Sequence, residues 1–507
     1  MVRDFGALEE PTKEEFREAA EKHFLNLSEK DLELYVELAT NRMNTYRKLD
    51  ELSSAMHKQE FVDRNAGYRP DPEENPYNAY VTKCDVQGAE EGKLSEKTVG
   101  VKDNIAVAGV EMTAASKVVE GYVPRTDATA VSRLLAEGAT ITGKLNMDAM
   151  AWSGSGDLGF RGPIYNPAKP EYLAGGSSGG SAAAVVSGEV DIALGTDQAG
   201  SIRIPAALCG CVGLKPTYGL VPYTGAIGSG PTYDHLGPMA STVHDCALAL
   251  EVMAGYDPAD PRQQPVSGGE YVDALDDDPS GITIGVLEEG FGAEATDIDS
   301  TVRSSLQTFE NAGATVTEVS IPYHEHGFTI WAGVAGEEGT AFARAERTGH
   351  FLKGRYDEQF VKYFSKARRA QADHFAPTVK LRLTHGQYLL DKFQGHYYAK
   401  AQNLRQELNS SYETALADVD VLAMPTTPII PFEAKENLSQ RELINRSHGL
   451  SVRGKNTTPF NMTGHPAISV PCGISDGFPA GCMFVGSHFD EETVMRAAHA
   501  FERAVRE

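Results

Sequence analysis

The chain has no run of apolar residues long enough to cross a bilayer, so no membrane-spanning helix is expected. Cysteine is scarce: Cys84, Cys209, Cys211, Cys246, Cys472 and Cys482 are scattered over 507 residues, with no CxxC pair and no zinc-type spacing. Cys209 and Cys211, separated by one residue in an apolar segment, read as packed thiols rather than ligands or a disulfide. Basic residues are outnumbered, 46 Lys and Arg against 71 Asp and Glu, for a net charge of −25. Such a surface repels phosphate backbones and anionic lipid, which argues against nucleic-acid or membrane binding by this chain alone. A high-salt cytoplasm and an ordinary acidic soluble protein fit that charge equally well. The opening Met1-Val2-Arg3-Asp4-Phe5 runs into acidic sequence without the apolar core of a signal peptide, and a cytoplasmic location is expected. There is no internal repeat and no low-complexity tract.

What is present is an ordinary globular composition, long enough for two to four domains by length alone. Residues 12–52 read as two amphipathic helices. Thr12 and Ser28 are candidate N-caps, each followed three residues later by an acid, Glu15 and Asp31. Leu32, Tyr35, Val36, Ala39, Met43 and Tyr46 recur at helical spacing as one apolar stripe, expected to dock on the main body or on a second copy in a homodimer. Residues 64–80, with Pro70, Pro72 and Pro76, read as a linker or extended wrapping segment.

Strands and helices then alternate. A strand over 98–103 carries Lys102 near its end. Asp127 is expected to cap a helix ending at Gly138, and strands are expected over 140–143, 282–286 and 315–319, with a helix over 300–312. This order implies an α/β fold: a large mixed sheet covered by helices, with ligands at strand ends. Residues 336–417 are helix-rich and more basic (Lys362, Lys366, Arg368, Arg369, Lys380, Arg382) and read as an insertion over the mouth of a site. The expected parts are 1–80 as a helical extension and linker, 81–335 as the first part of the core, 336–417 as the insertion and 418–507 as the rest of the core.

The most patterned stretch runs over 175–216. It begins with Gly175-Gly176-Ser177-Ser178-Gly179-Gly180-Ser181, passes through a small-residue helix over 182–187 and an apolar strand over 190–194, and reaches Thr196-Asp197-Gln198-Ala199-Gly200-Ser201 ahead of Ile202-Arg203-Ile204-Pro205. Glycines let backbone approach a ligand closely and aim N–H groups at it. The two turns flank one helix and one strand, so a fold can bring their hydroxyls together. The missing Gly-Lys-Ser/Thr argues against a phosphate-cradling loop.

This stretch resembles the signature of the amidase signature family, serine amidohydrolases with a Ser–Ser–Lys triad. The resemblance runs from about Tyr80 onward and includes Met424-Pro425-Thr426-Thr427-Pro428 and Asn461-Met462-Thr463-Gly464-His465-Pro466. Within the family the chain is most similar to bacterial amidases of aliphatic and aromatic carboxamides, including nitrile-pathway enzymes. The resemblance implies Ser201 as nucleophile, Ser177 as relay and Lys102 as base, with a cis Gly176–Ser177 bond. It implies oxyanion donors on Gln198, Ala199, Gly200 and Ser201, and a supporting shell of Ser178, Asp197 and Arg203. No metal or organic cofactor is implied, and the partner is a small-molecule linear carboxamide. The chain departs from the family's Gly-Gly-Ser by having Ala199-Gly200-Ser201. The methyl keeps the N–H but disfavours a positive φ and narrows the pocket.

Taken singly, Lys102 would read as a surface lysine lying along its own apolar stem; only the joint pattern with both serines raises it above that. His324 and His326 read as a surface loop. His235 and His465 either line the pocket or pack, and Asn146-Met147-Asp148 and Trp152-Ser153-Gly154 are expected in the cleft wall. Two other functions fit parts of the pattern. One is the glutaminase subunit of a tRNA-dependent amidotransferase; against it stand the helical extension and Val221-Pro222-Tyr223-Thr224-Gly225-Ala226. The other is an inactive amidase fold used as a binding module, which has no need of all three triad residues.

Overall fold

The computed structural model describes residues 8–52, 64–292, 296–347 and 352–506. Residues 1–7, where the absence of a leader was read, lie outside the described residues. The chain divides into two units, Met1–Lys58 and Gln59–Glu507. In the first, helices span Lys13–Lys22 and Glu29–Glu51. Thr12 and Glu15 form a reciprocal capping box, and the Ser28 hydroxyl accepts from the Asp31 N–H, so both caps lie where the sequence places them.

The second unit is built on one mixed sheet of twelve strands. In chain order they are β1 Arg64–Tyr68, β2 Tyr80–Val86, β3 Thr98–Lys102, β4 Thr140–Leu145, β5 Ile192–Asp197, β6 Val212–Lys215, β7 His235–Ala240, β8 Thr283–Leu287, β9 Thr315–Val319, β10 Val421–Pro425, β11 Ala467–Ser475 and β12 Phe478–Val485. Across the sheet they run β1-β2-β4-β3-β5-β7-β6-β11-β12-β10-β8-β9. β3 is parallel to both β4 and β5, with Val101 opposite Leu194 and Lys102 opposite Leu145. Parallel neighbours end at the same edge, so Lys102 and the end of β5 share one rim, where ligands of α/β sheets bind. The core strands read as apolar runs because helices cover both faces; every residue of β5 is buried.

Several expectations are revised. The Pro-rich stretch is not only a linker: Arg64–Tyr68 is an antiparallel edge strand on β2. There Gly67, at φ +82°, passes so close to Lys83 that a Cβ would sit 2.0 Å from its carbonyl oxygen. Asp127 does not cap the helix Thr129–Ala136, whose N-cap is Ala128. Its carboxylate is taken by Arg64, at 2.8 and 2.6 Å, and by the Ala108 N–H, because an ion pair with both side chains nearly buried outcompetes a helix end. The small-residue helix begins at Gly179 rather than 182 and ends at Val186, and β5 is shifted to Ile192–Asp197. His324 is not on the surface: it is buried, with Nδ1 2.7 Å from the Tyr412 hydroxyl and Nε2 3.2 Å from Asn456 Oδ1, whereas His326 is exposed. The helices of the basic stretch span Gly327–Arg344, Glu358–Gln371, Pro377–Phe393 and His396–Leu416. All six cysteines are free and five are buried. Among the described residues, no helix is long and apolar enough to cross a membrane.

The helix Gly179–Val186 lies against the strands closely enough that its small residues are obligatory. The Gly180 N–H donates to Asn146 O at 3.0 Å, and the Ser181 hydroxyl donates to Leu194 O at 2.9 Å. A Cβ on Gly180 would meet the carbonyl oxygens of Asn146 at 2.3 Å and Ala79 at 2.6 Å. Gly180→Ala is therefore expected to cost about 1–3 kcal/mol or more of stability, read from the urea midpoint.

Candidate active site

Lys102 ends β3 fully buried, on the sheet face opposite that of Val99 and Val101. Its Nζ lies 2.8 Å from Ser177 Oγ, 2.7 Å from Ser178 Oγ, 2.9 Å from Thr196 Oγ1 and 3.1 Å from Thr196 O. Burial lowers its pKa to about 7, against the opposing pull of the Asp197, Asp148 and Asp234 carboxylates. The hydroxyls arrive on the glycine turn ahead of the Gly179–Val186 helix. There the Gly176–Ser177 bond is cis, and Asp148 lies so close that a Cβ on Gly176 would be 2.0 Å from its Oδ2.

The second turn leaves β5 and meets the first through one backbone bond, Ser178 N–H to Ser201 O at 3.1 Å. Asp197, Gln198, Ala199, Gly200, Ser201 and Arg203 are all buried. Asp197 organises the turn: Oδ1 accepts from the Gly200 N–H at 2.6 Å and Oδ2 from the Ile202 N–H at 3.1 Å. Arg203 grips the same carboxylate through Nε at 3.0 Å and Nη2 at 3.1 Å, with both side chains at zero exposure. Burial pushes the Asp197 carboxyl up, but Arg203 and the donated hydrogen bonds outweigh it and hold it well below the usual carboxylate range. Gly200 has φ +115°, and a Cβ there would lie 2.3 Å from Thr457 Oγ1, so glycine is required.

Ala199 does not carry the strain its methyl raised as a concern. The positive φ falls on Gly200, and the methyl packs in an apolar cluster with Tyr233, Trp331 and Met462. The Gly200 N–H is turned to Asp197. Among the described residues, the N–H groups of Gln198, Ala199 and Ser201 donate to no protein acceptor.

Other supports come from distant sequence. Asn461 donates to Asp197 O at 3.0 Å and Oδ1 at 2.8 Å and accepts from Arg203 Nη2 at 2.8 Å. The Thr457 hydroxyl donates to Ala199 O at 2.7 Å, and Trp331 Nε1 donates to Gln198 O at 2.8 Å. Sequence reasoning gave none of Thr457, Asn461, Trp331 or the Lys102-facing Thr196 a role; the quoted segments that contain Thr196 and Asn461 were the available signals. Asn104 and Asp103 are internal braces. Asn104 Nδ2 donates to Thr196 Oγ1 at 3.2 Å and Ile227 O at 3.0 Å, and Asp103 pairs with the buried Lys144 at 3.2 Å. Asp148 clamps its own loop by accepting from the Gly156 and Leu158 N–H groups, both at 3.0 Å. Trp152 lies under the guanidinium groups of Arg347 and Arg382, its Nε1 donating to Ser229 Oγ at 2.7 Å. His235 packs, with Nδ1 donating to Tyr233 O at 3.0 Å. A cavity of about 620 Å³ lies between the 223–234 loop and the Gly327–Arg344 helix; none of Lys102, Ser177 and Ser201 lines it, but its wall includes Tyr223, whose hydroxyl accepts from Gln198 Nε2 at 3.1 Å.

A buried lysine with a lowered pKa thus lies against two serine turns on the rim of a mixed sheet, a candidate lysine–serine centre. The amidase family model matches residues 72–495, and the chain belongs to that family. It is 40% identical over 449 residues to an enantioselective amidase of Rhodococcus rhodochrous, covering 86% of this chain and 85% of that one. It is also 40% identical over 429 residues to a glutamyl-tRNA(Gln) amidotransferase subunit of Haloarcula marismortui, covering 84% of this chain and 99% of the relative. Among solved structures it is similar to that of the glutamyl-tRNA(Gln) amidotransferase subunit from Thermotoga maritima, with a TM-score of 0.70, 30% identity and coverage of 85% and 88%.

Removing Arg203 would strand a buried carboxylate. Arg203→Met is expected to lose about 3–5 kcal/mol of stability in chemical denaturation, whereas a surface pair such as Arg303 with Glu318 is worth under about 1 kcal/mol.

Proposed function

We propose that the chain is a self-sufficient amidase that hydrolyses linear carboxamides to carboxylate and ammonia through an acyl-enzyme on Ser201. The observation that carries this reading is the fully buried Lys102 amine, 2.8 Å from Ser177 Oγ and with its pKa lowered to about 7. A lysine acts as a base only when neutral, and this one is poised to be so near neutral pH. Thr196 O accepts only, and the Ser178 hydroxyl is within donating reach of it at 3.2 Å. One amine hydrogen is thus drawn to Thr196 O; in this reading the other goes to Ser178 Oγ or Thr196 Oγ1, and the lone pair faces the Ser177 hydroxyl.

In this mechanism Lys102 takes the Ser177 proton as Ser177 takes that of Ser201, and Ser201 Oγ attacks the amide carbon. The N–H groups of Gln198, Ala199 and Ser201 hold the developing oxyanion; that of Gly200 is left to position the turn through Asp197. The relay runs backward to protonate the departing nitrogen as the C–N bond breaks. Water then adds to the acyl carbon, giving up its proton along the same path, and Ser201 leaves as carboxylate forms. Ser178, Asp197 and Arg203 orient the two turns.

The alternative, the glutaminase subunit of a tRNA-dependent amidotransferase, is favoured by one observation: 99% of the Haloarcula relative is covered by 84% of this chain. The same figures show that this chain carries residues which that relative does not match, and the family match begins at residue 72, after the two N-terminal helices.

The test is ammonia release by the purified chain alone from acetamide, propionamide, benzamide and glutamine. Release from simple amides is expected, with Ser201→Ala lowering it by about 10⁴–10⁶-fold. Activity on glutamine alone, or only after a second protein is added, would sink the reading in favour of the amidotransferase. Because the base must lose its proton, kcat/KM is expected to rise about tenfold per pH unit below about 7 and to level off above it. A flat profile between pH 5 and 7 would remove Lys102 from the base role.

A further inference from the structure

Glu413, His465 and His488 come from three separate parts of the chain: the end of the helix His396–Leu416, the turn before β11 and the loop after β12. One ligand atom from each lies within 4.8 Å of the others. The hydrogen bonds fix where the ring protons are. His488 Nε2 is 2.8 Å from Thr463 O, and a carbonyl can only accept, so Nε2 carries the hydrogen. His465 Nδ1 is 2.8 Å from Thr463 Oγ1, whose own hydrogen goes to Pro459 O at 3.2 Å, so that Nδ1 also carries the hydrogen.

The remaining nitrogens, His488 Nδ1 and His465 Nε2, are therefore lone pairs when the rings are neutral. Both face one oxygen: Glu413 Oε1 is 2.6 Å from the first and 3.2 Å from the second. The second contact is misaligned for a hydrogen bond, which leaves a fully buried ring nitrogen unbonded. Two lone pairs and a carboxylate oxygen converging in this way repel one another unless a cation lies among them. One proton on His488 Nδ1 answers its 2.6 Å contact with Glu413 but leaves the buried His465 Nε2 unbonded, and a second would stack two imidazolium ions with ring centroids only 4.0 Å apart. A single divalent ion satisfies all three.

We propose that Glu413, His465 and His488 form a binding site for a divalent transition-metal ion of the zinc class. Two imidazoles and a carboxylate are a zinc donor set, with a fourth position left for water. Each ring anchors its other N–H on Thr463, the outer-shell arrangement that fixes tautomer and orientation in metal sites. Bonds of about 2.0–2.1 Å in a tetrahedron hold ligand atoms about 3.3 Å apart, close to the 3.2 Å found for His465. Glu413 is 42% exposed, so it can swing outward from His488, and ions reach the site from solvent. The ion would staple the His396–Leu416 helix to the two central strands β11 and β12, and none of its ligands belongs to the lysine–serine centre.

The full chain, freed of metal by chelator, is titrated with zinc chloride by calorimetry, with thermal unfolding followed in parallel. One site and a rise in Tm are expected, with affinity falling more than about tenfold in both His488→Gln and Glu413→Gln. Cobalt(II) in place of zinc is expected to give the visible bands of a tetrahedral nitrogen–oxygen site without a thiolate charge-transfer band, a readout on the unmodified chain that does not depend on the variants folding. No binding at submillimolar zinc, binding unchanged in both variants, or a thiolate band overturns the proposal. The first outcome would make the trio a proton-sharing cluster, and the others would place the metal on cysteines or elsewhere.

Discussion

The structure around the candidate centre depends on one constraint, the burial of an amine at the end of a central strand. An ammonium ion in the sheet core is costly, and three carboxylates, on Asp197, Asp148 and Asp234, pull the other way. The balance leaves Lys102 near its midpoint at neutral pH, surrounded by oxygens that can act as acceptors of its hydrogens or, for the hydroxyls, as donors to its lone pair. The sheet order follows from the same need. Because β3 and β5 are parallel neighbours, the lysine on one and the turn leaving the other reach the same rim without a long excursion.

A neutralisable lysine is useful only if the hydroxyls around it are fixed, and much of the buried polar network serves that end. Arg203 and Asn461 hold Asp197, Asp197 holds the N–H groups of Gly200 and Ile202, and Thr457 and Trp331 hold the carbonyl oxygens of Ala199 and Gln198. In a low-dielectric interior such a network rigidifies when nearly every member is satisfied. Support arriving from residues 331 and 457–461 ties the turn to the helical stretch and to the segment ahead of β11. The metal proposed at Glu413, His465 and His488 would fasten those same elements a short distance along the chain.

The glycines and serines of the two turns, the acidic surface and the paired N-caps at Thr12 and Ser28 were legible because each rests on local chemistry: backbone freedom, hydroxyl spacing, net charge and helix-end donors. Ala199 shows where local reasoning stops. Its methyl suggested strain, but the fold assigns the positive φ to Gly200 and gives the methyl an apolar pocket. Asp127 shows the same for capping, since a buried Arg64 claims the carboxylate first. His324 sits in a polar stretch of sequence, yet the fold buries it against Tyr412 and Asn456.

By itself, then, the sequence determined the alternating α/β order and the two hydroxyl turns, because periodicity and glycine chemistry act over a few residues; the lysine that accompanies them was marked only by the resemblance to the amidase signature family. Only the tertiary structure decided that Lys102 loses its water, which N–H groups are left unbonded at the Ser201 turn, and that Thr457, Asn461 and Trp331 brace it. Those properties depend on desolvation and on contacts between residues more than a hundred positions apart, and neither is encoded in any single stretch of chain.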